Sequence, residues 1–371
     1  MATLVSHKGR VLHEDYRGAS EFGGATPIGP QSIFRIYSMT KPITSVAAVM
    51  LMEEGRLRLD EPVHAYIPEF RDTEVWDGGS LSSFNTRKPD RHITIKDLFL
   101  HTSGLTYGHL HQHDVDALYR KEHIGRPDET LSDICIRLAK LPLVFSPGAK
   151  WNYGVSTDVL ARVIEIISGE TLDVFLSKRI FDPLKMTDTG FYAPEESHDR
   201  LVACYQKDPH TGDISLSDAA GSESRAFARP PTLLMGGGGL VSTVHDYLRF
   251  CQCLLNGGTL DGEKLISRKS WEFMTYNHLP GGRTIKQMGD QTFSETRMDG
   301  NGFGLGGAVV TNVADTMSPG SVGTLSWGGM ANTFFLIDPT EQLIAIQMTQ
   351  MMPSTAYPVR PEFMSLVYAA L

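Results

Sequence analysis

Apolar and polar residues alternate from Val5 to Arg17 on either side of His7-Lys8-Gly9-Arg10, a pattern that predicts a β-hairpin set directly in a sheet. A short apolar strand, Ile33-Phe34-Arg35-Ile36, then gives way to a helix. That helix reads from Val46, Val49, Met50 and Leu51 on toward Leu57, with Pro42 in its first turn, where a missing N–H costs nothing. From Asp60 to about Ala228 the pattern changes to helices between Pro- and Gly-rich loops, near 94–101, 130–140, 156–168 and 171–180. The 156–168 segment is the most regular: Ser156 is placed to cap it, Val159, Leu160, Val163, Ile164 and Ile167 share a face, and Gly169 stops it. After Gly236-Gly237-Gly238-Gly239 a further helix starts near His245, with Tyr247, Leu248 and Phe250 among its apolar positions. The last third turns β-rich, with strands near 303–310, 322–328, 332–338 and 342–350, a turn at Asp338-Pro339-Thr340-Glu341, and a closing helix from about Pro361 to Leu371. No internal repeat or low-complexity segment interrupts this order. The simplest arrangement is an α/β (α+β) fold in which an antiparallel sheet, made from both chain ends and flanked by helices, carries a helical insertion. It divides the chain into a discontinuous α/β domain (1–60 and 235–371) and a mostly helical domain (61–234), with a groove between them.

Composition narrows the function more than the fold. At 371 residues the chain exceeds one ordinary domain, consistent with two subdomains or one large composite unit. With 41% hydrophobic and 21% charged residues it reads as an ordinary soluble globular protein. A formal charge of −9 spread without long runs argues against nucleic acid, which needs a basic patch. No stretch approaches the roughly 18 apolar residues of a membrane span. The segment Met1 to Gly9 lacks an apolar signal region, so a cytoplasmic location is expected. The four cysteines, Cys135, Cys204, Cys251 and Cys253, are scattered. Cys251-Gln252-Cys253 is too tight for a usual bridge and lacks a second pair at zinc spacing, so all four read as reduced structural thiols.

Chemistry is suggested first by Ser38-Met39-Thr40-Lys41, at the junction of strand and helix. A Ser at a helix start and a Lys three residues on lie on one face, one turn apart, and the dipole there favours developing negative charge. A serine hydroxyl needs such a neighbouring base to attack a carbonyl. Alone, the motif is weak and more often marks a capping Ser and a solvated Lys. In Phe145 to Gly154, just ahead of the 156–168 helix, Tyr153 can project its hydroxyl into a cleft. Beside a lysine ammonium its pKa would fall, making it a candidate general base; the plainer alternative is a buried Tyr bonded to backbone. In Ser326-Trp327-Gly328-Gly329-Met330-Ala331-Asn332, two glycines inside a strand mark close approach of a ligand or another backbone. A strand edge there offers a backbone N–H to an oxyanion, or else a glycine bulge beside a packed Trp. The segment Leu100-His101-Thr102-Ser103-Gly104-Leu105 reads as a structural helix end.

Together these segments resemble the class C β-lactamase-like serine hydrolases, and most closely the family VIII carboxylesterases within that group. The resemblance covers nearly the whole chain. It rests on Ser38-Met39-Thr40-Lys41, His101 to Leu105, Pro147-Gly148 ahead of Tyr153, the run from Gly236 to Thr243, and Trp327-Gly328-Gly329, in that order. It implies Ser38 as nucleophile, Lys41 as the group that keeps it activated, and Tyr153 as the base that carries the proton to the leaving group. It also implies an oxyanion hole from the backbone N–H groups of Ser38 and Met330, and a substrate-binding strand at Trp327, Gly328 and Gly329. Three departures stand out. Tyr153-Gly154-Val155 ends in valine where β-lactamases carry Asn, and Trp327-Gly328-Gly329 replaces a Lys-Thr-Gly strand. The loss of that cation removes charge-assisted recognition of an anionic substrate, so a neutral ester fits better than a penicillin. The third departure is a leading helix, usual in relatives before the first hairpin, for which this chain has no counterpart: either the helix is absent or the start was assigned late.

The reading is therefore a serine hydrolase of short-chain carboxylic esters that works through acyl-Ser38, with a small-molecule acyl ester as partner and no metal or cofactor. Rivals with the same chemistry are hydrolysis of a β-lactam, a D-amino-acid peptide or another amide, and acyl transfer to an alcohol or amine. A non-catalytic binding protein on this fold is a third class. His109, His111 and His113 alternate and would share one side of a strand, as metal ligands do, but no partner carboxylate stands at zinc spacing, so a solvated loop at the groove rim is expected. Stretches 71–92, 107–127, 205–229 and 277–301 are expected to wall the groove, with Trp76, Phe84, Tyr107 and Phe303 as possible apolar contacts.

Overall fold

The opening alternation forms two strands, Ala2–His7 (β1) and Arg10–Tyr16 (β2), joined at Lys8 and Gly9, whose φ values of 51° and 75° suit the right-handed twist of a tight hairpin. The computed structural model describes residues 1–289 and 299–371. The last third supplies Asn301–Phe303 (β3), Ala308–Val310 (β4), Leu325–Gly329 (β5), Thr333–Asp338 (β6) and Leu343–Met348 (β7). They join β1 and β2 in one antiparallel sheet of order β3-β4-β5-β6-β7-β1-β2. Leu4 lies opposite Ile346 on one side and Glu14 on the other, so the N-terminal strand is clasped by the C-terminal third.

The helices include Thr40–Glu53 (α1), Ile95–Leu100 (α2), Asp114–Lys121 (α3), Leu131–Leu138 (α4), Ser156–Ser168 (α5), Val244–Leu255 (α6) and Val359–Ala369 (α7). Several start on reciprocal caps, Thr94 with Asp97 for α2 and Thr130 with Asp133 for α4. Gly169, at φ 76°, closes α5 in the left-handed conformation that glycine takes without steric cost.

The two-residue period of the strands sorts their side chains to opposite faces. Val5, Phe334, Leu336, Leu343 and Ala345 meet Val367 of α7, while Leu4, Phe335, Ile337, Ile344 and Ile346 join the main core with α1 and α6. Covered on both faces, β1, β6 and β7 are buried nearly throughout, and only the edge strand β2 is solvated. That is why the 332–338 and 342–350 segments read as continuous apolar runs. No helix among the described residues is long and apolar enough to cross a membrane.

Several elements differ from the sequence reading. The expected 303–310 strand is two strands, because Gly306 turns the chain at φ 119° against the side chain of Ser45. The 71–92 stretch contains a hairpin, Val75–Ser80 with Ser83–Arg87, and 205–229 contains most of another, Cys204–Lys207 with Ile214–Asp218. The 107–127 stretch contains α3. Ser156 does not cap α5; Val155 occupies that position, and the Ser156 hydroxyl instead meets Ser103 Oγ at 2.8 Å. Of the 277–301 wall, residues 290–298 lie outside the described residues.

Candidate active site

The site begins where the short strand Phe34–Arg35 pairs with Val241–Ser242 and the Ile36 N–H donates to Leu240 O at 3.0 Å. This anchors a tight 3-10 turn, Tyr37–Met39, immediately ahead of α1. Tyr37 has φ 42°, an uncommon backbone state for a bulky residue. Its hydroxyl points at Cys204 Sγ, 3.8 Å away, and its ring meets the Phe227 ring edge-on. Arg35 is fully buried and paired with Asp218 at 2.6 Å, so the second hairpin braces the approach to Ser38.

Lys41, one helical turn beyond Ser38, is 2% exposed. Its Nζ donates to Ser38 Oγ at 3.2 Å, Tyr107 Oη at 3.1 Å and the Gly237 carbonyl at 2.6 Å. A buried ammonium is costly unless hydrogen-bonded, and these acceptors hold it at the serine. Crowding accounts for the first glycine of the run: a Cβ on Gly236 would meet Ala161 of α5 and Thr44 of α1, whose Oγ1 also donates to Gly236 O at 2.8 Å.

Tyr153 sits on the turn before α5, with Lys41 Nζ 4.5 Å from its ring centroid. Trp327 Nε1 lies 3.4 Å from Tyr153 Oη, and the rings of His101, Tyr107 and Trp327 pack around it at 4.7, 5.4 and 5.5 Å. The turn is clamped by the segment after α2. Asn152 N–H donates to His101 O at 2.9 Å, Asn152 Nδ2 to Leu105 O at 3.0 Å, and Gly154 N–H to His101 Nδ1 at 3.3 Å. A Cβ on Gly154 would lie 2.6 Å from Leu105 O, so the close approach excludes any side chain there. Burial, with the Lys41 charge second, pushes the His101 pKa well below its usual range, which keeps the ring neutral so that its Nδ1 can accept the Gly154 N–H.

On β5, Trp327 is fully buried and faces Tyr153, while Phe303 packs edge-on behind it at 5.3 Å. Phe303 is thus packing rather than a groove contact. The next glycine faces the other side: a Cβ on Gly328 would lie 2.7 Å from the Arg360 guanidinium of α7, which donates to Gly329 O at 2.6 Å and Thr333 O at 2.9 Å. A Cβ on Gly329 would collide with the Ile36 carbonyl, so β5 is pressed against the chain two residues before Ser38. Met330, 38% exposed, heads the turn that follows and closes with Asn332 N–H on Gly329 O at 3.0 Å.

The three alternating histidines do not lie on a strand. His109 is in a 3-10 turn, Gly108–Leu110, and stacks on Tyr107 at 4.9 Å; His111 has φ 55°; His113 caps α3 through Nδ1. Among the described residues no three His, Cys, Asp or Glu side chains gather where they could hold a metal ion. Trp76 and Phe84 stack on each other across their hairpin at 5.1 Å, and Trp76 meets His113 edge-on. Two polar contributors escaped the sequence reading. Tyr107, expected as an apolar contact, bonds Lys41, and Asp158 of α5 reaches the Gly237 N–H at 2.8 Å. The turn residue following the His101 to Leu105 segment was the available signal for the first; for the second there was none.

A helix-flanked antiparallel sheet whose buried Ser-x-x-Lys opens the first long helix defines the class of serine hydrolases built on the β-lactamase and penicillin-binding-protein fold. The chain belongs to the beta-lactamase family, whose sequence profile matches residues 1–369. It is 34% identical over 355 residues to Protein Rv1367c of Mycobacterium tuberculosis, covering 95% of this chain and 85% of that one. It is 30% identical over 369 residues to Esterase EstB of Burkholderia gladioli, with the same coverage of 95% and 85%. The solved structure of EstCE1, a hydrolase with promiscuous acyltransferase activity, superposes with a TM-score of 0.80 at 25% identity, covering 99% of this chain and 92% of that one.

Proposed function

We propose that this enzyme hydrolyses short-chain carboxylic esters through an acyl-Ser38 intermediate. The observation that carries the reading is Lys41 Nζ, buried and 3.2 Å from Ser38 Oγ. Ser38 Oγ attacks the ester carbonyl carbon while its proton passes to the Tyr153 phenolate, and the Tyr153 phenol so formed returns that proton to the departing alkoxide, which leaves as the alcohol. Water then attacks the acyl-serine, gives one proton to Tyr153 and releases the carboxylic acid as Ser38 regains its hydrogen. Lys41 holds the Ser38 and Tyr153 oxygens in a positive field, and the backbone N–H groups of Ser38 and Met330 receive the oxyanion. The backbone edge of Trp327, Gly328 and Gly329, beyond the last β4 pair at Ser326, is the wall along which the acyl group lies. Trp327 is neutral, which supports a neutral ester over an anionic β-lactam. The groove between the 1–60 with 235–371 unit and the 61–234 unit holds the substrate.

The resemblance to Esterase EstB supports ester chemistry, and EstCE1, a hydrolase with promiscuous acyltransferase activity, supports a second use of the same acyl-enzyme, transfer to an alcohol or amine in place of water. The test is a burst experiment with a chromogenic short-chain ester, on wild type and Ser38→Ala, followed by intact mass. A stoichiometric burst and an acyl adduct on wild type, absent from the variant, are expected. Undiminished turnover by Ser38→Ala overturns the reading, an adduct formed only with a β-lactam moves it to a penicillin-recognising relative, and no adduct with either leaves a binding protein.

A further inference from the structure

The glycine run between α1 and α5 carries a carboxylate that the ester mechanism does not use. Asp158, in the first turn of α5, is 2% exposed. Its Oδ1 accepts the Gly237 N–H at 2.8 Å, and the carbonyl of that same glycine accepts Lys41 Nζ at 2.6 Å. Its other oxygen, Oδ2, is buried without a hydrogen-bond partner. A Cβ on Gly237 would lie 2.8 Å from Oδ2 and 3.1 Å from Tyr107 Oη, so only glycine lets carboxylate and phenol approach from both sides. A buried polar atom left unbonded is expensive, and a carboxylate is tolerated there chiefly when a cation lies close by.

We infer that Asp158 is a positioning residue: through Gly237 it fixes where the Lys41 ammonium sits, and its charge sets the proton affinity of the Lys41, Tyr153 and Tyr107 cluster. The inference rests on the acyl-serine reading and deepens it. Burial raises the Asp158 pKa, and Lys41 is the foremost influence pulling it back down, so the two groups feel each other electrostatically. The groups facing this pair are Tyr153 on the turn before α5, Tyr107 and His109 on the segment before α3, His101 at the end of α2 and Cys135 of α4. Burial holds His101 and His109 toward the neutral form and Cys135 toward the thiol, so none of them replaces the Asp158 charge. Removing a negative charge lowers the pKa of every group near it, whichever one titrates.

The test is the pH profile of kcat/KM for Asp158→Asn, a nearly isosteric change that keeps an acceptor for Gly237. Both limbs are expected to move to lower pH by about one unit, with kcat at neutral pH down about tenfold and KM little changed. A folded Asp158→Asn enzyme whose profile superimposes on wild type overturns the inference, since a purely structural aspartate would leave the limbs in place. Gly237→Ala is the second variant. It keeps the charge but crowds Oδ2, and is expected to lower kcat and shift the limbs in the same direction by less. An unmoved profile there is equally fatal. An active Ser38→Ala enzyme, by contrast, would strike the function reading and not this one alone.

Discussion

The indole N–H of Trp327 lies 3.4 Å from the hydroxyl oxygen of Tyr153, so the strand lining the site presents a neutral donor to the group proposed as the base. That distance makes the bond a long one, and its contribution follows from geometry more than charge. Trp327→Phe keeps the buried ring and removes the donor. A fall in kcat/KM of about three- to tenfold is expected, with KM nearly unchanged. Steady-state kinetics with the chromogenic ester measure it, and an unchanged kcat would mean that Tyr153 needs no donor from this strand.

Tyr107 holds the other side of Lys41. A hydrogen bond to a charged group contributes about 1.5–3 kcal/mol, so Tyr107→Phe is expected to slow acylation by about 10- to 100-fold. Burst rates separate this from a loss of binding, and melting curves check that the variant is folded. A change of less than twofold would show that the Ser38 and Gly237 contacts suffice to hold Lys41.

The two glycines of β5 differ in what surrounds them. At Gly329 the obstacle is the Ile36 carbonyl, a backbone atom, whereas at Gly328 it is the flexible end of Arg360. Gly329→Ala is therefore expected to cost several kcal/mol of stability or to push β5 away from the Ser38 turn, with loss of the burst. Gly328→Ala is expected to do less. Comparing melting temperature and burst amplitude of the two variants tests the ordering, and equal effects would contradict it.

Asp246 of α6 gives a pH signature in stability rather than activity. Its Oδ2 accepts from the Asp188 N–H at 2.8 Å and Thr189 Oγ1 at 2.9 Å, yet burial pushes its pKa up to about 6. The folded chain holds this proton more tightly than the unfolded chain, so stability is full below about pH 4 and is lost as pH rises through about 6. Relative to Asp246→Asn, wild type is expected to lose about 2 kcal/mol between pH 4 and 7. Urea melts at several pH values measure the difference, and parallel curves for the two proteins would refute it.

What the sequence made legible was whatever depends on local periodicity or on a motif whose members are close in the chain. Ser38 and Lys41 are one turn apart, and the α5 face with its Gly169 stop is written in a single run. The misses have physical causes. Tyr107 and Lys41 are 66 residues apart, so their bond belongs to tertiary packing and leaves no local trace. Asp158 looks like an ordinary first-turn acid, which a helix dipole favours anyway. The α3 helix has apolar Val115, Leu118 and Tyr119 at the right spacing, but it is capped by His113, outside the usual set of capping residues. The Val75–Arg87 hairpin shows glycine and polar residues because much of it is solvated. Gly304 to Gly307 sits inside an apolar stretch, and its turn appears only once Gly306 is known to have a positive φ.

Tyr37 bears on how this fold tolerates change. A bulky residue at φ 42° costs about 1–3 kcal/mol, and here it is held by Cys204 and Phe227, both remote from Ser38 in sequence. If those supports are altered, the backbone is free to relax toward an ordinary conformation, a change that lowers its own energy while turning Ser38 out of line. Substitutions confined to Cys204 and Phe227, which leave the buried Arg35–Asp218 pair intact, would then have small effects in a melting curve and evident ones in turnover.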